Sequence, residues 1–399
     1  MQIEYFYYFY TDNQSYMIYR NLGQNFKKSL SKYPILALTG PRQSGKTTLL
    51  RTMLPDYKYV SLENPDSRSF ALEDPRGFLK LYNDKTILDE VQRAPDIFSY
   101  LQTVVDQNQV MGQYILSGSQ NFHLMQQITQ SLAGRVGLFR LFPFDFDEMR
   151  SADWLSPNLS EVFVKGFYPA VFNRQIDPDE FYANYIDTYV SRDVTQLVHV
   201  QDSKSFRNFL KHCAVRAGSL LNYNDLARDA GISHSTSRNW LSVLETSYIL
   251  YTVTPFYNNF SKRLIKSPKL YFYDTGLLCH LLGIRNGEID PTFSNWGNLF
   301  ENTIISELMK RNAHLTQHRE YNFWRDSNGL EIDLMYAKSG KLNVYEIKAS
   351  STITSSMYSG IEKFEKITSI PLQDKMIIYG GSEDQQRTNF KISSWSKVK

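Results

Sequence analysis

Short apolar runs alternate with amphipathic stretches along this chain, and the alternation predicts an α/β protein. Apolar runs at residues 35–38, 86–88 and 113–117 are typical of buried strands in a parallel sheet. Near the C-terminus, charged and apolar positions alternate through residues 331–348, which predicts a β-hairpin. The preceding stretch GNLFENTIISELMKR predicts an amphipathic helix with Phe300, Ile304 and Leu308 on its apolar side.

A glycine-rich loop joins the first predicted strand to a helix that begins near Thr48, in the stretch ILALTGPRQSGKTTLL. The pattern Gly40-x4-Gly45-Lys46-Thr47 in this strand–loop–helix context predicts a phosphate-binding loop. Backbone N–H groups and the helix N-terminus surround the phosphates, Lys46 neutralises them, and the Thr47 hydroxyl binds Mg²⁺. The residues expected to hold the nucleotide are Gly40, Pro41, Arg42, Gln43, Ser44, Gly45, Lys46, Thr47 and Thr48.

Two carboxylates follow the second predicted strand, in the stretch DKTILDEVQ. We expect Asp89 to hold Mg²⁺ through its water shell and Glu90 to orient or deprotonate the hydrolytic water. The alternative is that both are merely favourable acidic residues at a helix N-terminus. The third predicted strand ends at LSGSQ, where Ser119 is a candidate sensor of the terminal phosphate or part of a plain Ser-Gly-Ser turn.

Arg135, in the stretch SLAGRVG, is a candidate for completing a transition-state clamp within its own chain or on a neighbour. The alternative is an ordinary surface arginine. The segments GPRQSGKTT, LDEVQ, LSGSQ, SLAGR, LFPFDFDE and GFYPAVF occur here in the same order as in a group of prokaryotic AAA-type ATPases, which this chain therefore resembles. In that group the ATPase domain precedes a C-terminal domain of uncharacterised function.

The resemblance implies a RecA-like αβα nucleotide domain that binds ATP and Mg²⁺. It also singles out Arg192, in the stretch YVSRDV, as a second candidate for the arginine finger. A separate helical lid with a second sensor arginine is not evident in the sequence, which favours a switch or a small homo-oligomer over a ring-type motor.

The middle of the chain, SLLNYNDLARDAGISHSTSRNWLSVLETSYILYTV, predicts a helix–turn–helix followed by a wing. Asn224 and Ser233 are expected to cap the two helices, with Gly231 in the turn. In a DNA-binding interpretation, Arg238 and Asn239 approach base edges of double-stranded DNA. The wing residues expected at phosphates are Lys262, Arg263, Lys266 and Lys269. A module that docks a protein partner is the alternative.

Net charge is only +3, with 44 basic and 41 acidic residues, but the charges are unevenly distributed along the chain. Residues 202–270 hold ten Lys or Arg against four Asp or Glu, which favours DNA slightly. Asp274, in the step YDTG, has no evident chemical role and is expected to cap a helix.

The C-terminal hairpin carries the second candidate site. A two-residue turn at Ser339-Gly340 would place Asp333 opposite Glu346, and like charges in that position need a cation. Lys348 shares a face with Glu346, and Glu301 on the preceding helix is within reach. Asp333, Glu346 and Glu301 therefore predict a Mg²⁺ site which, with Lys348 near an attacking water, would suit phosphodiester hydrolysis.

This arrangement over residues 296–399 resembles the PD-(D/E)xK nucleases, whose fold is restriction-endonuclease-like, although Ile332 stands where those proteins have proline. The alternative is an inactive module that docks a protein, with Glu346 and Lys348 as an ion pair. The overall hypothesis is an ATPase that couples its nucleotide state to a DNA-binding or nuclease-like module. A regulatory or scaffold ATPase is the alternative.

The length of 399 residues predicts two or three domains. We expect a non-core extension (1–16), an ATPase core (17–145), a helical connection (146–200), a winged-helix region (201–290) and a nuclease-like α/β domain (291–399). Two cysteines and no long apolar segment indicate a cytoplasmic protein that does not enter a membrane.

Overall fold

The protein is described by a computed structural model in which two β-sheets are joined by helices. The described residues are 8–11, 14–118, 128, 130–189, 203–256, 266–285 and 289–398. Ser119 and Arg192, two of the predicted site residues, lie outside them, as do Lys262 and Arg263.

The N-terminal sheet consists of parallel strands in the order β4-β5-β6-β3-β7. Its strands are β3 (Ile35–Thr39), β4 (Lys58–Ser61), β5 (Thr86–Asp89), β6 (Tyr114–Ser117) and β7 (Val136–Arg140). Strand β6 lies between β3, which enters the phosphate loop, and β5, which ends at Asp89. The carboxyl ends of these three strands therefore meet at one edge, which is where ligands bind in open α/β sheets.

Helices cover both faces of this sheet. They are α1 (Leu22–Ser29), α2 (Lys46–Met53), α3 (Pro65–Glu73), α4 (Pro75–Leu81) and α5 (Ile97–Asn108). Because side chains alternate along a strand, Leu36 and Leu38 of β3 pack in one core with α1 and α2, and Ile35 and Ala37 pack in a second core with α4 and α5. The predicted RecA-like αβα layers are thus confirmed for the N-terminal domain.

The middle of the chain is helical. Its helices are α6 (Phe146–Ser151), α7 (Leu159–Lys165), α8 (Pro169–Asn173), α9 (Pro178–Tyr185), α10 (Ser203–Val215), α11 (Tyr223–Ala230), α12 (His234–Thr246) and α13 (Thr275–Leu281). The predicted caps Ser233 and Asp274 are confirmed, since each accepts a hydrogen bond from its own first turn. The predicted cap Asn224 is wrong: Asn222 accepts from the backbone N–H groups of Asn224 and Asp225, so α11 begins earlier.

The C-terminal sheet is mixed, with the order β14-β15-β13-β12-β11-β10-β8-β9. Its strands are β8 (Leu250–Pro255), β9 (Lys269–Phe272), β10 (Asn322–Arg325), β11 (Glu331–Lys338), β12 (Lys341–Lys348), β13 (Leu372–Tyr379), β14 (Gln385–Gln386) and β15 (Lys391–Ser394). Helices α14 (Trp296–His314) and α15 (Ser356–Thr368) pack against it. The boundary predicted at residue 290 cuts through this sheet, because β8 and β9 form one of its edges.

The hairpin of β11 and β12 has the register that the turn arithmetic predicts. Leu334 pairs with Tyr345, and Lys338 pairs with Lys341. Ser339 and Gly340 both have positive φ (52° and 75°), as a tight hairpin turn with two left-handed residues requires. Asp333 and Glu346 are the next positions in this register.

A separate two-stranded hairpin, β1 (Tyr8–Thr11) with β2 (Gln14–Met17), precedes α1. Among the described residues, no helix combines the length and the apolar character that crossing a lipid bilayer requires.

Candidate functional sites

The phosphate loop closes around its own lysine. Gly45, with φ of 94°, caps α2, and Lys46 is the first residue of that helix. The Lys46 ammonium group is buried and donates to the carbonyls of Gly40 at 2.9 Å and Pro41 at 2.8 Å. A Cβ on Gly40 would lie 2.1 Å from the Leu141 carbonyl oxygen, so only glycine lets the loop pass this close to the segment after β7.

Burial sets the electrostatics of Lys46. Desolvation lowers its pKa to about 8, and the neighbouring carboxylates Glu90 and Asp89 limit the fall. A buried cation that is held by carbonyl dipoles and faced by two carboxylates is suited to exchange those partners for phosphate oxygens.

Asp89, at the end of β5, receives two hydroxyl groups at the same oxygen. Thr47 donates from Oγ1 to Oδ2 at 3.0 Å, and Tyr59 donates from its phenol at 2.6 Å. The structure thus brings Thr47 and Asp89 together as the sequence predicts. Tyr59 was not predicted, since only the pairing of β4 with β5 shows that it reaches Asp89.

Glu90 lies directly after β5 in the left-handed region, with φ of 53°. Gln92 donates from Nε2 to its carboxylate at 2.5 Å, and this bond fixes the Glu90 side chain next to Asp89. A non-glycine residue in this conformation carries strain of about 1–3 kcal/mol, which is typical of functional positions. Ser117, at the end of β6, is buried and pairs in register with Asp89.

Arg20 holds the backbone of the phosphate loop, and no sequence pattern predicted this role. Its guanidinium group donates to the carbonyls of Ser44 at 2.9 Å and Phe142 at 2.6 Å. It also forms an ion pair with Glu148 at 3.0 Å, and both side chains are buried. No local motif marks this arginine, because its partners are 24 to 128 positions away in the sequence.

Arg135 lies at the wrong edge of the sheet for its own chain's phosphate loop. It immediately precedes β7, so it is at the amino end of a strand whose carboxyl end approaches the loop, about 16 Å away. It forms a bidentate ion pair with Asp106, at 2.6 and 2.8 Å, near the surface. The within-chain role is therefore not supported, and the role on a neighbour stays a prediction.

The second site lies where α14 crosses the C-terminal sheet. Carboxylate oxygens of Glu301, Glu331 and Asp333 lie within 4.8 Å of one another. Glu346 is linked to them by Lys348, whose ammonium group is 2.6 Å from Glu346 and 3.6 Å from Asp333. The predicted Glu301, Asp333, Glu346 and Lys348 thus converge, but Glu331 rather than Glu346 completes the tight triad.

Lys269 requires a correction. It was predicted to contact DNA phosphates from a wing, but it is only 3% exposed. Its ammonium group lies 2.9 Å from Glu301 and forms an ion pair with Glu331. Tyr271, two residues along β9, donates to the same Glu301 oxygen at 2.6 Å. Both residues reach Glu301 because α14 packs against β9.

The charged side chains of this site shift one another's pKa values. Burial and the adjacent Asp333 raise the pKa of Glu346 to about 8, although Lys348 opposes the rise. Burial lowers the pKa of Lys348, but Asp333 and Glu346 more than offset that effect and hold it above its usual value. The second oxygen of Glu346, Oε2, is buried with no hydrogen-bond partner.

The helix–turn–helix exposes the residues predicted to approach DNA. Arg238 and Asn239 lie on the outer side of α12, while Trp240 is buried against Phe206 and Phe209. The Arg238 guanidinium group stacks over the Tyr223 ring, 5.7 Å from its centroid. Of the four cations predicted in the wing, Lys266 is the one that the described part of the chain shows exposed to solvent.

Three protein families match consecutive parts of the chain. The AAA domain family matches residues 32–150. Two domains of unknown function follow, DUF8612 at residues 156–288 and DUF4143 at residues 296–398.

Among curated proteins, the chain is similar to uncharacterized proteins of Mycobacterium tuberculosis and Mycobacterium bovis. Each is 30% identical over 349 residues, which are 86% of this chain and 77% of the relative. Among solved structures it is similar to a Walker-type ATPase of Pyrococcus abyssi, at 14% identity and a TM-score of 0.42 over 65% of this chain and 94% of that one. DnaA of Aquifex aeolicus bound to AMPPCP gives 17% identity and a TM-score of 0.27, over 56% and 86% of the two chains.

Proposed function

We propose that this chain, which belongs to the same family as the mycobacterial proteins that it matches and carries an AAA domain, hydrolyses ATP with Mg²⁺. The observation that carries the proposal is the convergence of Lys46, Thr47, Asp89 and Glu90 at the carboxyl ends of β3 and β5. One candidate cation, one hydroxyl and two carboxylates are what phosphoryl transfer from ATP requires.

The residues present fit a magnesium nucleotide. The Thr47 hydroxyl and the Asp89 carboxylate are hard oxygen ligands, and they already lie 3.0 Å apart. When bound, Mg²⁺ neutralises phosphate charge. The first turn of α2 supplies unpaired backbone N–H groups beside Gly45, which is the usual arrangement for an anion at a helix N-terminus.

Lys46, Asp89 and Glu90 then have separate roles in ATP hydrolysis. Lys46 binds the phosphate oxygens in place of the Gly40 and Pro41 carbonyls. Asp89 is oriented by the hydrogen bonds that it accepts from the hydroxyls of Thr47 and Tyr59. Glu90, oriented by Gln92, accepts the proton of the attacking water.

Nucleotide binding and hydrolysis of two variants test this proposal. Lys46→Ala should lose both, measured with a fluorescent ATP analogue and by phosphate release. Glu90→Gln should bind ATP but hydrolyse it at least about a hundredfold more slowly. The matched control is Lys58→Ala, an exposed lysine on β4, which should behave as the wild type. Hydrolysis that survives in Lys46→Ala would refute the assignment.

A second function is favoured by the carboxylate cluster of the C-terminal sheet. We infer that Glu301, Glu331, Asp333 and Glu346 bind a divalent cation and that Lys348 lies beside the attacking water of a phosphodiester hydrolysis. The donor set consists of carboxylate oxygens, which Mg²⁺ and Mn²⁺ prefer, and the unpartnered Glu346 Oε2 offers one further ligand atom. Bound there, the cation would supply Lewis-acid chemistry.

Incubation with plasmid DNA separates this function from that of an inactive docking module. Wild-type protein, Lys348→Ala and Lys46→Ala are compared with Mg²⁺ or Mn²⁺, with and without ATP. Cleavage that disappears in Lys348→Ala supports the nuclease. Cleavage of equal rate in Lys348→Ala would be contamination, and no cleavage in any sample would leave the regulatory or scaffold ATPase as the better account.

A further inference from the structure

Lys269 enters the carboxylate cluster from a different part of the chain than the carboxylates themselves. Glu301 lies on α14, and Glu331, Asp333 and Glu346 lie on β11 and β12, whereas Lys269 begins β9 at the sheet edge. Its side chain is 4% exposed and contacts two of the three clustered carboxylates. The ammonium group therefore takes up lone pairs that a divalent cation would need.

The charges around the cluster are nearly balanced without a metal. Four carboxylates face three cationic side chains, Lys269, Lys348 and Arg325, the last of which lies 2.9 Å from Glu331. A divalent cation added to this set would leave a net positive charge in a buried region, which is costly. Departure of one ammonium group removes most of that cost, and Lys269 is the cation nearest to Glu301 and Glu331 together.

The backbone on both sides of Lys269 is fixed to the helix–turn–helix segment. The N–H of Leu221 donates to the carbonyl of Pro268 at 2.7 Å, and the N–H of Gly218 donates to the carbonyl of Leu270 at 2.8 Å. Gly218 and Leu221 lie in the connection between α10 and α11. The Asn302 side chain of α14 also bonds the N–H and the carbonyl of Phe272, at 2.8 and 3.0 Å, so β9 is held on both sides and keeps Lys269 against the carboxylates.

We propose that Lys269 is a built-in counter-ion of the carboxylate site that competes with the divalent cation for Glu301 and Glu331. The proposal rests on the metal-binding function proposed above for the same site. It identifies Lys269 as a positioning residue, since it acts through Glu301 and Glu331 rather than on a substrate.

Mn²⁺ binding to the full-length protein, measured by electron paramagnetic resonance and calorimetry, tests the competition. Lys269→Met keeps the volume of the side chain and removes its charge, and should bind Mn²⁺ at least about tenfold more tightly than the wild type. Lys338→Met, a change at an exposed lysine at the far end of β11, is the matched control and should leave the affinity unchanged. Addition of Asp333→Asn to Lys269→Met should abolish the gain in Mn²⁺ affinity.

Thermal unfolding provides a readout that is independent of any activity. Lys269→Met leaves buried carboxylates less well compensated, so its melting temperature should fall and then be restored by Mn²⁺ more than that of the wild type. If Lys269→Met does not fold, Lys269→Met with Glu331→Gln keeps the charge balance, and its Mn²⁺ affinity is compared with that of Glu331→Gln alone.

The outcomes separate the two proposals. Equal or weaker Mn²⁺ binding by Lys269→Met, with binding still dependent on Asp333, overturns the counter-ion role and leaves the metal site standing. Absence of Asp333-dependent Mn²⁺ binding in both proteins refutes the metal site, and the counter-ion role falls with it. Tighter binding that Asp333→Asn removes supports both.

Discussion

His314 donates from Nδ1 to Asp145 at 2.8 Å and accepts from the backbone N–H of Phe142 at Nε2, 3.1 Å away. The two ring nitrogens of His314 thus link the Asp145 carboxylate to the backbone of Phe142. Asp145 follows β7 of the ATPase sheet, whereas His314 is the last residue of α14, the helix that carries Glu301. One helix of rigid backbone thus connects the two candidate sites, over about 20 Å.

The last turns of α14 are bound to the ATPase domain by more than this one bond. Glu307 accepts from the N–H of Phe146 at 3.0 Å, and Lys310 donates to the carbonyl of Phe144 at 2.7 Å. Both side chains are fully buried. The segment LFPFDFDE therefore forms the surface on which the C-terminal end of α14 packs, a role that its sequence did not reveal.

Replacement of His314 by alanine should destabilise the protein by about 2–4 kcal/mol, because the buried Asp145 carboxylate and the Phe142 N–H would lose their partner. Urea unfolding at pH 7 measures the loss. His318→Asn is the matched control, since His318 is exposed and asparagine tolerates its positive φ of 53°. A His314→Ala protein as stable as this control would show that the contact does not hold α14.

The charge of Asp145 should give the fold an acid-sensitive component. Burial alone would raise the pKa of Asp145, but hydrogen bonds from His314, Asn21 and the Glu148 N–H lower it well below its usual value. A depressed folded-state pKa contributes stability that is fully present above the unfolded pKa of about 3.9 and is lost as the pH falls through the lower folded-state pKa.

The stability difference between the wild type and Asp145→Asn should therefore be largest near pH 7 and shrink below about pH 4. Urea unfolding of both proteins between pH 2 and 7 gives this difference directly, because the loss lies below the unfolded-state pKa of about 3.9. A difference that does not change with pH would mean that the ionised carboxylate contributes nothing beyond its shape.

Arg20 should matter far more for stability than an exposed arginine. Arg20→Met leaves Glu148 as an unpaired buried carboxylate and frees the carbonyl of Ser44, so we expect a loss of about 3–5 kcal/mol and weaker ATP binding. Arg135→Met removes a bidentate but exposed pair with Asp106 and should cost far less, because solvent screens this pair. Urea unfolding measures both losses. A similar loss in free energy of unfolding for the two variants would show that the buried contacts of Arg20 add no more stability than an exposed ion pair.

The local features of the nucleotide site could be predicted from sequence because they lie within one short stretch. The strand before Gly40, the helix after Gly45 and the carboxylates at Asp89 and Glu90 follow from patterns of fewer than ten residues. The hairpin register was equally local, since one tight turn at Ser339 and Gly340 determines every pair.

The parts that were missed depend on contacts between distant segments. Tyr59 reaches Asp89 only because β4 pairs with β5, and Arg20, which lies just before α1, reaches Ser44 only because the fold brings the two segments together. Lys269 was interpreted as a DNA contact because its neighbours in sequence are basic. Its burial follows from the packing of α14 and of the connection at residues 217–220 against β9, which no local pattern indicates.

Arg238 should contribute to DNA binding through the exposed side of α12. Arg238→Ala should weaken binding of a double-stranded oligonucleotide about tenfold and lower the slope of log K against log salt by about one unit if it contacts a phosphate. Fluorescence polarisation between 50 and 200 mM salt measures both quantities. Lys32→Ala, at an exposed lysine of the ATPase domain, is the control and should change neither. Binding that is independent of salt, or equal loss in both variants, would favour the alternative in which this segment docks a protein.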